Sequence, residues 1–206
     1  MIVAVDASTL TLLVNPDADP PLDPATGQTL TRASERLGKL VDEVERRRGT
    51  VLIPTPALAE VLVKAGDAGP AFLERLNGSA RFKVADFDQR AAVEVAAMTR
   101  DAIRAGDKSA GVSEPWQKGK YDRQIVAIAR VNGASALYAD DNGVAAFGNL
   151  IGLKVIRTWE LPLPETKEDL FTVAGLDLSN GPEDQEQGNP LETPEWLARA
   201  NQPPPK

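Results

Sequence analysis

The pattern that most constrains the fold is an alternation of short apolar runs with longer segments of helical periodicity. Between the apolar runs, hydrophobic residues recur at spacings of three and four, which is typical of amphipathic helices. The strand-like runs span residues 2–5, 50–53, 80–85, 135–139 and 153–157. This alternation predicts an α/β domain whose central parallel sheet has about five strands and carries helices on both faces.

The clearest helical segment spans residues 118–133. Its apolar residues recur at helical spacing, and Gly133 stands where a helix stop is expected. We expect Asp122 in the first turn, where the positive end of the helix dipole favours a carboxylate. The strand that follows ends in Asp140 and Asp141, so three acids are predicted to approach one another in space.

Composition excludes several classes of enzyme. The chain contains no histidine and no cysteine, which rules out Ser-His-Asp and Cys-His hydrolases, histidine-based ribonucleases and the usual zinc sites. Acid–base or metal chemistry must therefore use carboxylates, lysine, tyrosine or water. A net charge of -7 argues against broad coating by nucleic acid, although it permits a local basic groove.

The sequence divides into two parts. Residues 1–159 are predicted to form the folded domain, and residues 160–206 are rich in proline and acids. We interpret the second part as an irregular acidic tail, partly disordered or docked on the domain. The first residues form a strand with neither a basic region nor a long apolar core, and no run has membrane-spanning length, so a cytoplasmic protein is expected.

Acids recur where strands end and helices begin. They are Asp6, Glu60, Asp122, Asp140 and Asp141. In open parallel sheets, ligands bind beyond the carboxyl ends of the strands, and all five can reach that edge. Two carboxylates about 5 Å apart repel by about 3 kcal/mol at an effective dielectric near 20, so the group needs a proton or a cation. Hard oxygen ligands suit Mg²⁺ or Mn²⁺.

Each acid taken alone also has a simpler interpretation. Asp6 could cap the helix that follows it, and Asp122 could be a first-turn acid that favours the dipole. Glu60 could be a solvated surface residue, and residues 140–143 could form a turn and a helix cap. Their joint placement at one sheet edge favours the metal site over these separate roles.

The chain resembles the PIN-domain family, which includes many metal-dependent ribonucleases and the VapC-type toxins of toxin–antitoxin pairs. The resemblance covers about residues 1–159 and rests on the order and spacing of five motifs. These are Val5-Asp6-Ala7-Ser8, then residues 54–62, then Tyr121-Asp122-Arg123-Gln124-Ile125-Val126-Ala127-Ile128-Ala129, then Leu137-Tyr138-Ala139-Asp140-Asp141, then Gly152-Leu153-Lys154-Val155-Ile156. It implies the three-layer fold of that family.

The resemblance also implies roles for the acids. The family's catalytic acids match Asp6, Glu60, Asp122 and Asp141, and its metal ligands match Asp6, Asp122, Asp140 and Asp141. At the last site the family usually has Thr or Ser, any residue, then Asp. Here Ala139 replaces the hydroxyl residue, Asp141 takes the place of the acid, and Asp140 stands beside it.

Substrate-binding residues are predicted from two sources. Ser8 matches a small hydroxyl residue that often accompanies the first acid of the family. Lys118, Lys120 and Arg123 surround Asp122 in sequence and could guide a phosphate backbone, or they could form a solvated face.

The function implied by the resemblance is Mg²⁺- or Mn²⁺-dependent endoribonuclease activity. Such an enzyme hydrolyses RNA phosphodiester bonds and leaves 5′-phosphate and 3′-hydroxyl ends. As the toxin of a type II pair, it would have an antitoxin protein as partner and would form a homodimer. Two alternatives stay open: a catalytically weak PIN-like module that binds RNA or protein, favoured by Ala139 and the acidic tail, and a hydrolase of small phosphate esters.

Overall fold

The structure, a computed structural model, describes residues 1–15, 17–106 and 116–164. At its centre is a five-stranded sheet in which every pair of neighbours is parallel. The strands are β1 (Ile2–Val5), β2 (Thr50–Pro54), β3 (Phe82–Ala85), β4 (Ala136–Tyr138) and β5 (Val155–Ile156), in the order β3-β2-β1-β4-β5. The predicted α/β class and the five-stranded parallel sheet are confirmed.

Helices connect successive strands. They are α1 (Ala7–Val14), α2 (Ala33–Arg46), α3 (Thr55–Ala65), α4 (Gly69–Gly78), α5 (Gln89–Arg104), α6 (Trp116–Val131) and α7 (Asn142–Leu150). Helix α1 packs on both α2 and α3, and α6 packs on both α5 and α7. From β1 to β3 the chain moves along the sheet in one direction, and from β3 to β5 it moves in the other. Because crossovers between parallel strands are right-handed, this reversal puts α1–α4 and α5–α7 on opposite faces of the sheet.

The strand order places a crevice beside β1. From β1 the chain adds β2 and β3 on one side, then returns to add β4 and β5 on the other side. Val5 pairs with Tyr138 at the carboxyl ends of β1 and β4. Loops leave these two strands in opposite directions, which is the arrangement that opens a ligand site in doubly wound sheets.

The middle of α6 belongs to the hydrophobic core. Five consecutive residues, 125–129, are buried, with exposed fractions of 2% or less. They share one hydrophobic core with Val3 and Val5 of β1, and α6 contacts β2. Burial on all sides fixes the position of this helix, and so fixes the polar residues in the turns that precede the core segment.

Two local predictions are corrected. Helix α6 begins at Trp116, two residues before the start at residue 118 that the sequence predicted. Asp122 consequently lies in the second turn and not in the first, and the dipole does not explain its position.

The start of the predicted tail packs on the domain. Leu161 is buried, and its carbonyl oxygen accepts a hydrogen bond from the guanidinium of Arg36 in α2. The ammonium of Lys39 donates to the carbonyl oxygen of Leu163 at 3.1 Å. Residues 165–206, which carry the rest of the tail, lie outside the described part of the chain.

Within the residues that the structure describes, none of the helices has both the length and the apolar character that crossing a membrane would require.

Candidate active site

Asp6 begins the site at the end of β1. Its backbone N–H donates to the carbonyl oxygen of Tyr138 at 3.0 Å, which extends the β1–β4 pairing by one bond. Its carboxylate caps α1 by accepting a hydrogen bond from the N–H of Thr9 at 2.8 Å. The side chain is only 2% exposed. The capping role suggested by sequence is therefore real, and it fixes the carboxylate at the crevice.

Ser8 links the two strands that border the crevice. Its hydroxyl lies 2.8 Å and 2.9 Å from the two carboxylate oxygens of Asp6 and donates its proton to that group. The same oxygen accepts from the backbone N–H of Asp140 at 3.3 Å. In this structure Ser8 orients Asp6 and joins it to the end of β4, and its predicted contact with substrate stays a prediction.

Burial gives Asp6 an unusual ionisation. Loss of solvent raises its pKa from 3.8 to about 7, and the charge of Asp140 adds to the rise. Hydrogen bonds from Thr9 and Ser8 lower the pKa, but by less. In the absence of a cation, this carboxyl changes its charge near neutral pH.

Asp140 is held by the segment after β5. One carboxylate oxygen accepts from the N–H of Thr158 at 2.7 Å, and the other accepts from the Thr158 hydroxyl at 2.6 Å. Thr158 is buried, with an exposed fraction of 2%. A hydroxyl from a distant part of the sequence thus supports the acid at this edge, where Ala139 provides none.

Asp141 caps α7 and forms an ion pair. Its Oδ1 accepts from the N–H groups of Gly143 at 2.8 Å and Val144 at 3.1 Å. Its Oδ2 lies 2.6 Å from the Nζ of Lys118 in α6. Burial raises the pKa of Asp141, but the hydrogen bonds and charge of Lys118 and the two backbone donors outweigh it and hold the pKa below 3.8.

Asp122 meets Asp141 above Gly143. A Cβ built on Gly143 would lie 2.2 Å from Oδ2 of Asp122 and 3.1 Å from Oδ1 of Asp141. The two oxygens are therefore no farther apart than the sum of these distances. Asp122 is 5% exposed, so α6 delivers a largely buried carboxylate to the first turn of α7. Glycine leaves the space that this approach needs.

Glu60 lies on an exposed part of α3. The pKa of its carboxyl is raised, mainly because the group is partly buried. The charge of Asp141 adds to the rise, while the charges of Lys64 and Lys118 oppose it. The Glu60 carboxyl is therefore close enough to Asp141 and Lys118 for their charges to change its pKa.

The three predicted basic residues have different surroundings. Lys118 is paired with Asp141, and Lys120 is exposed on α6. Arg123 is only 2% exposed; its guanidinium stacks on Phe147 at 4.1 Å from the ring centre and donates to the Gly119 carbonyl at 3.3 Å. Burial on Phe147 gives Arg123 a packing role in this structure, and a contact with RNA stays a prediction.

The acids form one continuous edge, but they do not form a preassembled metal cage. Among the described residues, no group of three or more acidic side chains lies close enough to hold one ion. Asp6, Asp140 and Asp141 each accept hydrogen bonds from the protein, and Lys118 stands at Asp141. The oxygen donors suit Mg²⁺ or Mn²⁺ in kind, but their present arrangement suits neither ion.

Comparisons with known proteins bear on the fold. VapBC2 from Rickettsia felis, solved bound to a DNA fragment from their promoter, matches with a TM-score of 0.52 and 13% identity, over 76% of this chain and 98% of that one. The chain has a PIN-like fold of the VapC type. DNA-bound VapBC from Salmonella typhimurium gives a TM-score of 0.48 and 18% identity, over 77% and 99% of the two chains.

The PIN-like fold is visible in structure and not in sequence comparison. No protein-family profile matches the chain, and no curated protein matches it. At 13% identity the likeness to the Rickettsia complex concerns the fold, so the roles of the acids are argued from their own geometry.

Sequence reasoning missed two residues of this PIN-like edge, Thr158 and Gly143, and it missed the partner of Lys118, a residue that it had predicted as substrate-binding. Thr158 lies beyond the predicted acid motifs, and nothing in its neighbourhood signals a contact with Asp140. Gly143 was interpreted as part of a turn, although its close approach to Asp122 is a tertiary feature. The pairing of Lys118 with Asp141 had one usable signal: Lys118 precedes Asp122 by four residues, which places both on one helix face.

Proposed function

We propose that this PIN-like domain is an endoribonuclease that hydrolyses RNA phosphodiester bonds at the edge formed by Asp6, Asp122, Asp140 and Asp141. One observation carries the proposal. Two strand ends and two helices bring these carboxylates to the crevice between β1 and β4, where doubly wound sheets bind ligands. Buried acids gathered at such a crevice are costly for stability, which favours a functional reason for them.

Asp6 is suited to bind a cation. Burial raises its pKa to about 7, so its ionised carboxylate is costly near neutral pH unless a positive charge stands beside it. We assign it a place among the metal ligands, with Ser8 orienting its carboxylate. Asp122 and Asp141 approach each other at Gly143, and Glu60 lies in electrostatic range of Asp141.

We propose Mg²⁺ or Mn²⁺ as the cofactor, with Asp6, Asp122 and Asp141 as its ligands and Asp140 in support. When bound, such an ion activates water and clamps phosphate oxygens. Asp140 is the weakest of the four predicted ligands, because both of its oxygens are already engaged by Thr158. The remaining acids would have to turn, and Asp141 would have to exchange its present partner, before they could bind one ion together.

Partners are proposed from the neighbouring structures. The similar structure from Rickettsia felis is a VapBC2 complex bound to a DNA fragment from a promoter. We propose that this chain likewise has an antitoxin protein as partner and acts as the toxin of a type II pair. A homodimer of this chain belongs to the same proposal.

A second candidate function is a PIN-like module that binds RNA or protein without cleaving it. The observation that favours it is the internal engagement of the acids, which leaves no three of them converging within the described residues. The enzyme remains the better-supported candidate because Asp6 and Asp122 are buried at the crevice, where a binding module gains nothing from them.

One set of incubations separates these functions. Purified full-length chain would be mixed with RNA, with DNA and with a small phosphate ester, in Mn²⁺, in Mg²⁺ and in EDTA. We expect RNA fragments with 5′-phosphate ends in the presence of metal and intact RNA in EDTA. Hydrolysis of the ester alone would replace the ribonuclease with a phosphohydrolase, and RNA binding without cleavage would support the module.

A further inference from the structure

Lys118 forms an ion pair with the acid that caps α7. Its Nζ lies 2.6 Å from Oδ2 of Asp141, while Oδ1 of the same carboxylate caps α7. Lys118 is in the first turn of α6, and Asp122 follows it by four residues on the same helix face. The ammonium therefore stands where α6 and α7 each present an acid.

The Lys118 ammonium also acts on Glu60, an acid of α3. The charge of Lys118 lowers the pKa of Glu60 on α3, and the charge of Asp141 raises it. Lys64 is the other cation that acts on Glu60, and it lies one turn farther along α3. The charge of Lys118 thus acts on two acids from different parts of the chain, Asp141 at the start of α7 and Glu60 on α3, and offsets part of the repulsion between them.

We propose that Lys118 is the internal counter-ion of the acid edge, and that a divalent cation must displace it from Asp141 in order to bind. This deepens the proposed function, since it assumes that the edge works with such an ion. Lysine suits the role because its ammonium is a compact charge on a flexible four-carbon stem. The Lys118 side chain is 44% exposed, so it can move into solvent without disturbing the core.

The proposal explains why the acids do not form a cage as they stand. With Lys118 in place, Asp141 is turned toward α6 and its charge is already matched. After displacement, Oδ2 of Asp141 would be available to a cation beside the Asp122 carboxylate, which approaches Oδ1 of the same residue at Gly143. Lys118 would then set the affinity of the site for metal, and its released ammonium would lie at the mouth of the crevice.

Calorimetric titration of the full-length chain with MnCl₂ at low salt tests this. Lys118→Met removes the charge but keeps a long apolar side chain with good helix propensity. Lys120→Met is the matched control, since it removes the same charge two residues away. We expect Lys118→Met to lower the Mn²⁺ dissociation constant about five-fold relative to the control, as expected when a partly exposed ion pair no longer competes.

A double variant shows whether the effect passes through Asp141. In the Asp141→Asn background the counter-ion has lost its partner, so adding Lys118→Met should produce little further gain in Mn²⁺ affinity. Binding of Mn²⁺ by Lys118→Met but not by the wild type would also support the proposal. Equal affinities in Lys118→Met and Lys120→Met, or no Mn²⁺ binding by any variant, would overturn it.

The proposed function is judged separately, by RNA cleavage with the wild-type chain. Cleavage combined with equal affinities in the two lysine variants would retain the ribonuclease and remove the counter-ion role. A five-fold difference in Mn²⁺ affinity without any cleavage would retain the counter-ion and remove the ribonuclease.

Discussion

At the scale of single residues, the ionisation of Asp6 is the property that is easiest to measure. Burial raises the pKa of Asp6 to about 7, and the chain has no histidine whose titration would overlap with it. Its raised pKa means that the folded protein binds a proton between about pH 4 and pH 7 that the unfolded chain releases. Stability from this group is therefore full at low pH and falls as the pH rises through that window.

Replacing Asp6 with Asn should remove this pH dependence. The amide keeps the capping acceptor and carries no charge, so Asp6→Asn should gain stability relative to the wild type as the pH rises from about 4 to 7. The gain should reach a few kcal/mol near neutral pH, as a shift of this size implies. Urea denaturation of both proteins across that range, without divalent metal, is the measurement. A constant difference would show that Asp6 does not titrate in the window.

The hydroxyl of Ser8 should lower the pKa of the Asp6 carboxyl. Its hydroxyl hydrogen bond stabilises the ionised carboxylate, so Ser8→Ala should move the Asp6 pKa still higher. Thr11→Ala is the matched control, because the Thr11 hydroxyl donates to the carbonyl of Ala7 in the same helix. Carboxyl ¹³C NMR titration reports both variants. An Asp6 pKa that moves equally in the two would assign the effect to the helix and not to the hydrogen bond.

At the scale of elements, the meeting of α6 and α7 depends on a glycine. Gly143→Ala places a Cβ against the Asp122 carboxylate and should destabilise the fold by about 1–3 kcal/mol. Gly78→Ala, at the end of α4, meets nothing within 4 Å and should be neutral or stabilising by up to about 1 kcal/mol. Urea midpoints compare the two. Equal midpoints would mean that Asp122 moves aside without cost.

Sequence periodicity was sufficient for the elements but not for their contacts. The five strands and their parallel pairing followed from alternating apolar runs, because a buried parallel strand must be apolar on both faces. The start of α6 was placed two residues late, because the apolar repeat that signals this helix lies in its second half. The helix cap that Asp141 provides could be predicted from local sequence, but the contacts of Asp140 with Thr158 and of Asp141 with Lys118 join residues about 20 positions apart, which no local pattern encodes.

At the scale of the whole molecule, charge is unevenly divided. Residues 165–206 contain nine acidic and three basic residues, a net charge of -6 out of the chain's -7. Residues 1–164 are therefore close to neutral as a set. The acidic composition that argued against nucleic-acid binding belongs mainly to the tail, and the domain itself is compatible with a polyanionic substrate.

Removing the tail should strengthen RNA binding. A tethered anionic segment competes with RNA at a high effective concentration, and it also repels RNA. A chain ending at residue 164 should therefore bind RNA more tightly than the full chain, most clearly at low salt where charges are least screened. Fluorescence anisotropy at two salt concentrations measures this. Equal affinities at low salt would leave the tail a solubilising or partner-binding role.

The central claim is that the acid edge between β1 and β4 is a ribonuclease active site. RNA cleavage rates of Asp6→Asn and Asp122→Asn, compared with the wild type in Mn²⁺, test it most directly. Asp88→Asn is the matched control, since Asp88 caps α5 through the N–H of Ala91 and Asn preserves that cap. With folding verified by circular dichroism, we predict that both edge variants lose about a hundred-fold or more in rate while Asp88→Asn cleaves like the wild type. Wild-type rates in both edge variants would contradict the account.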